Sequence, residues 1–318
     1  MIVATHNRRE QALRLLGALA RQRAGAEPFE VVAVVDGSTD GTADALRATR
    51  WPFTLRVVEQ PRGGAAAARN RGAAAASGTT LVFMDDDVVP PPDFLEQLDG
   101  SLDAGADVVL PLTLVGDWVP DGIIAREQRA WDAHGAAVAA TGVLSADEIH
   151  FAATAVRRRC FDAVGGFDPS LTADGAWGKE DTELAYRLLR AGCRVAARPD
   201  VVVTMDCVTD PVELLRRARA LGRSDARFAR MHPELAPRIF RTALREARIQ
   251  RAIGWMVLAA PGMATLLRPL RALVLAAMGR ARAGALVYRL WLAVWSAEWW
   301  RGVLDAGGGA VARRELYR

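Results

Sequence analysis

Lysine is almost missing from this chain: Lys179 stands alone, and arginine supplies the rest of the 41 basic residues. Together with the alanine-rich runs, this reads as compositional bias rather than as a functional signal. Cysteine is scarce too. Cys160, Cys193 and Cys207 lack metal-site spacing, and an odd number excludes a complete disulfide framework. A reduced, cytoplasmic setting is the expectation. No basic segment leads into an apolar one at the start. Met1-Ile2-Val3-Ala4-Thr5 resembles a buried first strand rather than a signal peptide. Long apolar runs are also missing. Ile253–Leu267 is uncharged for 15 residues but is interrupted by Pro261. A spanning helix needs about 20 apolar residues, so no transmembrane helix is expected.

What is present is globular. At 51% hydrophobic and 25% charged, the 318 residues suit one large domain, or a smaller domain with an appendage, rather than a disordered chain. The net charge of +4 is unevenly spread. From Pro211 to Arg318, 20 Arg face 7 acidic residues and carry +13, leaving −9 on residues 1–210. Two readings stay open: a C-terminal part that meets an anionic partner such as a membrane surface or lipid phosphate, and a solvated arginine-rich helical face.

Short apolar runs at Ile2–Ala4, Val31–Val35, Leu55–Val58 and Leu81–Met84 fit strands of a sheet covered on both faces. Helical spacing occupies Arg9–Arg23, Thr42–Arg50 and Ala65–Ser77 between them. The alternation predicts βαβ units, whose ligands bind at the carboxyl ends of the strands. Pro90-Pro91-Pro92 stops the fourth strand, and Asp93 is expected to cap the next helix. Further on, a strand and a helix around Ile124–Ala137 are expected. Phe151–Val156 reads as a strand, Thr182–Ala191 as an amphipathic helix ending at Gly192, and Val195–Met205 as another strand. Beyond Pro211 only helices are expected. Leu286–Arg301 places Trp291, Trp295 and Trp299 four apart, with Tyr288 near the same stripe. That stripe packs against the catalytic domain, or lies in a membrane interface.

Three strands end in polar clusters. Asp85-Asp86-Asp87 follows the run Leu81-Val82-Phe83-Met84, and three adjacent carboxylates need a cation or strong donors. Alternate strand residues share a face, so Asp85 and Asp87 are expected to point together, and oxygen ligands suit Mg²⁺ or Mn²⁺. Asp36, in Val34-Val35-Asp36-Gly37-Ser38-Thr39-Asp40-Gly41-Thr42, suits a uracil imide or a ribose hydroxyl, or is part of a plain turn. Arg62-Gly63-Gly64 leads into a helix carrying Arg69-Asn70-Arg71, a modest anion site in which Arg69 reaches a phosphate, or a packing feature. Glu180-Asp181 opens a helix, as cap or as general base. Trp177 stacks on a sugar or acceptor, or packs.

The ordered set Thr5-His6-Asn7, Asp36 to Thr42, Ala68-Arg69-Asn70-Arg71-Gly72, Asp85-Asp86-Asp87, Gly165-Gly166-Phe167-Asp168 and Glu180-Asp181 resembles the family 2 glycosyltransferases. The likeness covers roughly residues 1–230. It implies the α/β GT-A fold of nucleotide-diphospho-sugar transferases, a Rossmann-like sandwich. Residues 1–210 would be the catalytic domain, with a nucleotide-binding half at 1–110 and an acceptor half at 111–210. Residues 211–318 would be a basic helical extension. By the same resemblance Asp36 recognises the base; Thr5, Asn7, Arg69, Asp85 and Asp86 line the donor pocket; Asp85 and Asp87 bind Mn²⁺ or Mg²⁺; and Asp181, beside Glu180, is the catalytic base. The chain departs from the pattern at Val35, where an acid is common, and at Ala152-Ala153-Thr154, where Asn is common. Thr204-Met205-Asp206 falls where the family often has a metal-binding His, which makes Asp206 the candidate third ligand.

A single carboxylate base opposite the leaving group implies inversion at the anomeric carbon of a nucleotide-sugar donor, with a UDP-sugar fitting Asp36 best. The acceptor is left open between a lipid-linked or cell-surface glycan and a small molecule or peptide. The setting is cytoplasmic, at the inner face of the membrane if residues 211–318 touch it. Nucleic acid is not expected, for want of a binding motif. Two rivals remain. A haloacid dehalogenase-like phosphatase also places Asp-x-Asp after an apolar strand, but here Val88-Val89-Pro90 follows. A non-catalytic membrane- or partner-binding protein would use the basic helices on an inactive transferase scaffold.

Overall fold

The computed structural model describes residues 1–23, 28–119, 122–142, 144–173, 177–206, 210–245, 248–260, 268–278 and 285–316. Cys207 and Pro261 lie outside the described residues. The chain forms two compact units, the first comprising 1–119, 127–170 and 180–207, the second 120–126, 171–179 and 208–318.

The chain begins β1 (Ile2–Thr5), α1 (Arg9–Leu19), β2 (Glu30–Asp36), α2 (Thr42–Ala48), β3 (Thr54–Gln60), α3 (Ala65–Ala75) and β4 (Thr80–Asp85). It continues through β5 (Val88–Val89), α4 (Phe94–Asp103), β6 (Val108–Val115), α5 (Ile123–Ala140), β7 (Ala153–Arg157), α6 (Arg158–Ala163), α7 (Glu180–Arg190) and β8 (Val195–Met205). The eight strands lie in one mixed sheet, in the order β3-β2-β1-β4-β7-β6-β8-β5. The first four are parallel, as the βαβ alternation predicted. β7 runs antiparallel to both β4 and β6, and β5 antiparallel to β8.

The two-residue period sorts side chains onto two cores. Val3, Val31, Ala33, Val82 and Met84 pack with Leu15, Leu16, Leu46, Phe94 and Leu98 on one face. Leu81, Phe83, Phe151, Phe161, Phe167, Leu184 and Leu188 fill the other. The alanine-rich α3 packs tightly on the sheet, since a Cβ on Gly72 would fall 2.4 Å from Ile2 Cγ2. Helix α1 stops four residues earlier than its pattern because Gln22 and Arg23 have other partners. Gln22 Nε2 donates to Pro91 O, and Arg23 N–H to Pro92 O, both at 2.8 Å. Asp93 stands at the start of α4 but its carboxylate caps nothing. It sits 3.7 Å from Arg23, and Gln22 Oε1 accepts from Leu95 N–H in its place.

The second unit contains α8 (Pro211–Met231), α9 (Ala236–Arg245), α10 (Arg248–Ala259), α11 (Arg268–Met278), α12 (Ala285–Asp305) and α13 (Gly309–Leu316). Its central contact is α8 against α12. A Cβ on Gly222 would fall 2.0 Å from Trp299 O, and one on Gly302 2.0 Å from Arg219 O, so only glycine lets these backbones approach. Trp291, Trp299 and Trp300 are buried among these helices, and Trp295 packs against them. The tryptophan stripe is thus the interior of this unit. Trp299 Nε1 donates to Asp225 at 2.7 Å, which satisfies its polar end. Part of the positive charge is compensated internally: Arg216 and Arg217 pair with Glu213, and Arg219 with Asp305. Among the described residues no helix is long and apolar enough to cross a membrane.

Candidate active site

The carboxyl ends of β1, β2 and β4 lie side by side, with Thr5 opposite Val35 and Ala4 opposite Asp85. Asp36, at the end of β2, is buried and accepts three hydrogen bonds. Oδ1 takes Gln60 Nε2 at 2.8 Å and Gly63 N–H at 2.7 Å; Oδ2 takes Gly64 N–H at 2.9 Å. Its carboxylate therefore shapes the glycine turn before α3. That turn presses on Gly37 (φ +68°), where a Cβ would fall 2.9 Å from Arg62 N. Asn7 (φ +51°) braces two loops: its N–H donates to Ser38 Oγ at 2.9 Å, and its Oδ1 accepts from Thr39 N–H at 2.8 Å. Thr5 is buried, its hydroxyl beside Asp86.

The acidic triplet pairs Asp85 and Asp87 with different guanidinium groups, Arg69 and Arg8. The strand ends at Asp85 and the chain turns into β5, so alternation fails after that residue. Asp85 Oδ1 accepts from Arg69 Nη2 at 2.7 Å. Asp86 and Asp87 share Arg8, whose Nη1 lies 2.9 Å and 2.6 Å from them. Burial, opposed by Arg8, pushes Asp86 up to about 6. Asp87 is also raised, by burial and then by the charges of Asp85 and Asp206, with Arg8 opposing.

Arg69 gathers the remaining acids. It is buried among three carboxylates: Nη2 bonds Asp85, while Nη1 donates to Glu180 at 3.0 Å and Asp181 at 3.2 Å. Burial alone would lower its pKa, but the charges of Asp181, Asp85 and Glu180 prevail and raise it. Its guanidinium lies over the Phe167 ring at 5.3 Å. Asn70, one residue along α3, holds Phe167 at both ends: Nδ2 donates to its carbonyl at 2.8 Å, and Oδ1 accepts its N–H at 3.0 Å. Asp181 Oδ2 accepts Phe151 N–H at 2.9 Å, so this carboxylate is oriented by donors on both oxygens. Glu180 is pushed up to about 7 by burial and by Asp181, with Arg69 opposing. Its Oε2 is buried with no hydrogen-bond partner, as is Arg69 Nε. In the second unit, Trp177 is 46% exposed with Arg217 over its ring at 5.1 Å.

Asp206 was expected as a third metal ligand, and its carboxylate has other partners. One oxygen pairs with Arg14; the other accepts Trp118 Nε1. Among the described residues no group of three or more His, Cys, Asp or Glu side chains is arranged to hold an ion. Asp85 and Asp87 alone still fit a divalent cation, because hard ions such as Mg²⁺ take one or two carboxylates and complete their shell with water and substrate phosphate. Burial first, and then the charges of Asp85 and Asp206, raise Asp87, and that repulsion is the charge such an ion would relieve. The sequence reading overlooked Arg8, Arg14 and Trp118. Thr5-His6-Asn7 marked a polar strand end, but nothing local showed that Arg8, the next residue, meets acids 78 and 79 positions away.

The profile described as Glycosyl transferase family 2 matches residues 1–162, and one described as the N-terminal domain of galactosyltransferase matches residues 141–206. Validoxylamine A glucosyltransferase of Streptomyces hygroscopicus subsp. jinggangensis is 42% identical over 60 residues, 19% of this chain and 14% of that protein. The chain thus aligns with a small part of that relative's length. Mannosyltransferase PcManGT from Pyrobaculum calidifontis, solved with GDP-Man and Mn²⁺, superposes with a TM-score of 0.62 at 24% identity, covering 96% of this chain and 85% of that one. S. aureus TarS 1–349 with UDP gives 0.51 at 20% identity, covering 96% and 90%. GalNAc-T7 with UDP, GalNAc and Mn²⁺ gives 0.50 at 16% identity, covering 69% and 46%. These likenesses show a GT-A glycosyltransferase fold, and with a profile match over half its length the chain belongs to glycosyl transferase family 2.

Proposed function

We propose that this protein transfers a sugar from a nucleotide-diphosphate donor to an acceptor hydroxyl, with inversion at the anomeric carbon. One observation carries the reading: Asp85 from the donor end of the sheet and Asp181 from α7 converge on the single guanidinium of Arg69. Direct displacement needs a base for the acceptor proton on one side of the reacting carbon and relief of the leaving group's charge on the other, and that junction gathers the carboxylates for both roles.

Asp36 and the Gly63-Gly64 turn form the nucleotide end. A carboxylate has about four acceptor positions, so three bonds from the chain leave it one for a base imide or a ribose hydroxyl. Asp181 removes the acceptor proton, its orientation held by Arg69 and Phe151 N–H. Glu180, poised near neutral pH, shares the field of Arg69 and tunes the charge around the base. A divalent cation, held when bound by Asp85 and Asp87, would offset the negative charge of the departing diphosphate. The Mn²⁺ in the mannosyltransferase and GalNAc-T7 structures supports this choice of ion.

A UDP-sugar suits Asp36 best, and TarS and GalNAc-T7 were solved with UDP; the GDP-Man in the mannosyltransferase makes GDP-sugars the first alternative. For the acceptor, the +13 charge of residues 211–318 favours a lipid-linked or cell-surface glycan at the cytoplasmic face of a membrane. The validoxylamine A glucosyltransferase match favours a second reading, the tailoring of a small molecule. The test is Asp181→Asn, which is expected to keep nucleotide binding while losing transfer at least about a hundredfold, the scale of general base catalysis. NMR of the wild-type product is expected to show the inverted anomer. Full activity in the variant removes Asp181 from its role, and a retained configuration overturns the mechanism.

A further inference from the structure

We infer that Trp118 is a platform for the apolar face of a pyranose ring, a subsite that rests on the transferase reading but is carried by separate observations. The indole stands in the turn that follows β6. There Gly116 N–H donates to Met205 O at 2.9 Å, and Val119 N–H to Gly116 O at 3.0 Å. This turn joins the carboxyl ends of β6 and β8, the end of an α/β sheet at which ligands bind.

The ring is fixed from several sides. Its Nε1 donates to Asp206, and the Arg14 guanidinium lies 5.9 Å from its centre while pairing with the same carboxylate. It also lies tightly against Gly116, where a Cβ would fall 2.4 Å from Cζ2. Despite these restraints Trp118 is 48% exposed. A packing tryptophan is ordinarily buried, as Trp299 and Trp300 are here, and a loose surface tryptophan has no need of a tailored glycine beneath it. An indole that is both held and open offers a flat apolar surface at low entropic cost. Asp206 at its edge and Arg14, whose guanidinium lies over the ring at 5.9 Å, supply hydrogen-bonding groups for sugar hydroxyls at the margin of the exposed surface. The subsite borders the acidic cluster, because Asp206 N–H donates to Asp87 O at 3.0 Å. The pyranose is that of the donor or of the acceptor, and the two share this chemistry.

The experiment uses the full chain, wild type, Trp118→Ala and Trp118→Phe, with folding checked by circular dichroism. Calorimetric titrations in Mn²⁺ compare UDP with UDP-glucose, GDP with GDP-mannose, and methyl glucoside with methyl mannoside. The expected result is an affinity loss of about tenfold in Trp118→Ala for sugar-bearing ligands, with bare nucleotides unchanged and Trp118→Phe within about threefold of wild type. Loss confined to nucleotide sugars identifies the donor's ring, and loss confined to methyl glycosides the acceptor's. Unchanged sugar binding in Trp118→Ala, with nucleotides still bound, overturns the platform and leaves the transferase reading standing. Equal loss in the Phe variant, or equal loss for bare nucleotides, overturns it in favour of a structural role for the Asp206 bond. Wild type that binds glycosides through Trp118 but no nucleotide keeps the platform and sinks the transferase; binding of neither ends both.

Discussion

Replacing Glu180 by Gln isolates the electrostatic cost stored beside the base. Glu180 is buried, and its carboxyl lies at about 7 in the folded chain against an ordinary value of 4.5. The folded state therefore holds a proton that the unfolded chain has released, so this group's contribution to stability falls as pH rises from about 4.5 to about 7. At about 1.4 kcal/mol for each pH unit, the gap corresponds to about 3 kcal/mol lost by pH 8. The glutamine side chain of Glu180→Gln bears no charge at any pH and still offers Arg69 an acceptor oxygen. Urea unfolding of both proteins between pH 4.5 and 8 is expected to show near-equal stability at the acid end and an advantage of about 3 kcal/mol for the variant at pH 8. Asp86, raised to about 6 by burial, titrates alike in both proteins and drops out of the difference. Parallel pH profiles, or a wild type that gains on the variant as pH rises, would refute the reasoning and mean that Arg69 outweighs burial.

Asn70→Ala removes both bonds that hold Phe167 beneath Arg69 and is expected to cost about 1–3 kcal/mol by denaturant unfolding. It should also slow transfer more than it weakens nucleotide binding; unchanged stability and rate would deny Asn70 this role. Gly222→Val drives a side chain into Trp299 O, which a Cβ would already meet at 2.0 Å, and is expected to destabilise the helical unit by about 3 kcal/mol. An unshifted thermal midpoint would contradict the close crossing of α8 and α12.

The parallel half of the sheet was legible because each of its strands is an apolar run several residues long. Val195–Met205 was read with the bounds of β8. A two-residue strand such as β5 has no period to detect, so the turn after Asp85 was invisible, and with it the pairing of Asp85 and Asp87 with different arginines. The acids themselves stood out, since a carboxylate cluster after a buried strand demands compensation. Their partners did not: Arg69 meets Glu180 across 111 positions and Arg8 meets Asp87 across 79, distances that spacing within one element cannot encode. In a chain so rich in arginine, no single guanidinium announces itself. The tryptophan stripe had the correct helical period, but period shows that a face is apolar and not what covers it; here the covering helices belong to the same unit. Trp118 gave no periodic signal at all, because its significance lies in an exposure that only the fold reveals.

The most direct test of the account is a thermal-shift panel of UDP, GDP, dTDP and CDP, each with Mn²⁺ and with EDTA. A ligand that binds the folded state raises its apparent stability with the logarithm of its concentration relative to Kd. The account predicts stabilisation by one nucleotide, UDP first, that appears with Mn²⁺, vanishes with EDTA, and is lost in Asp85→Asn. Absence of any shift with all four nucleotides in the presence of metal would contradict it.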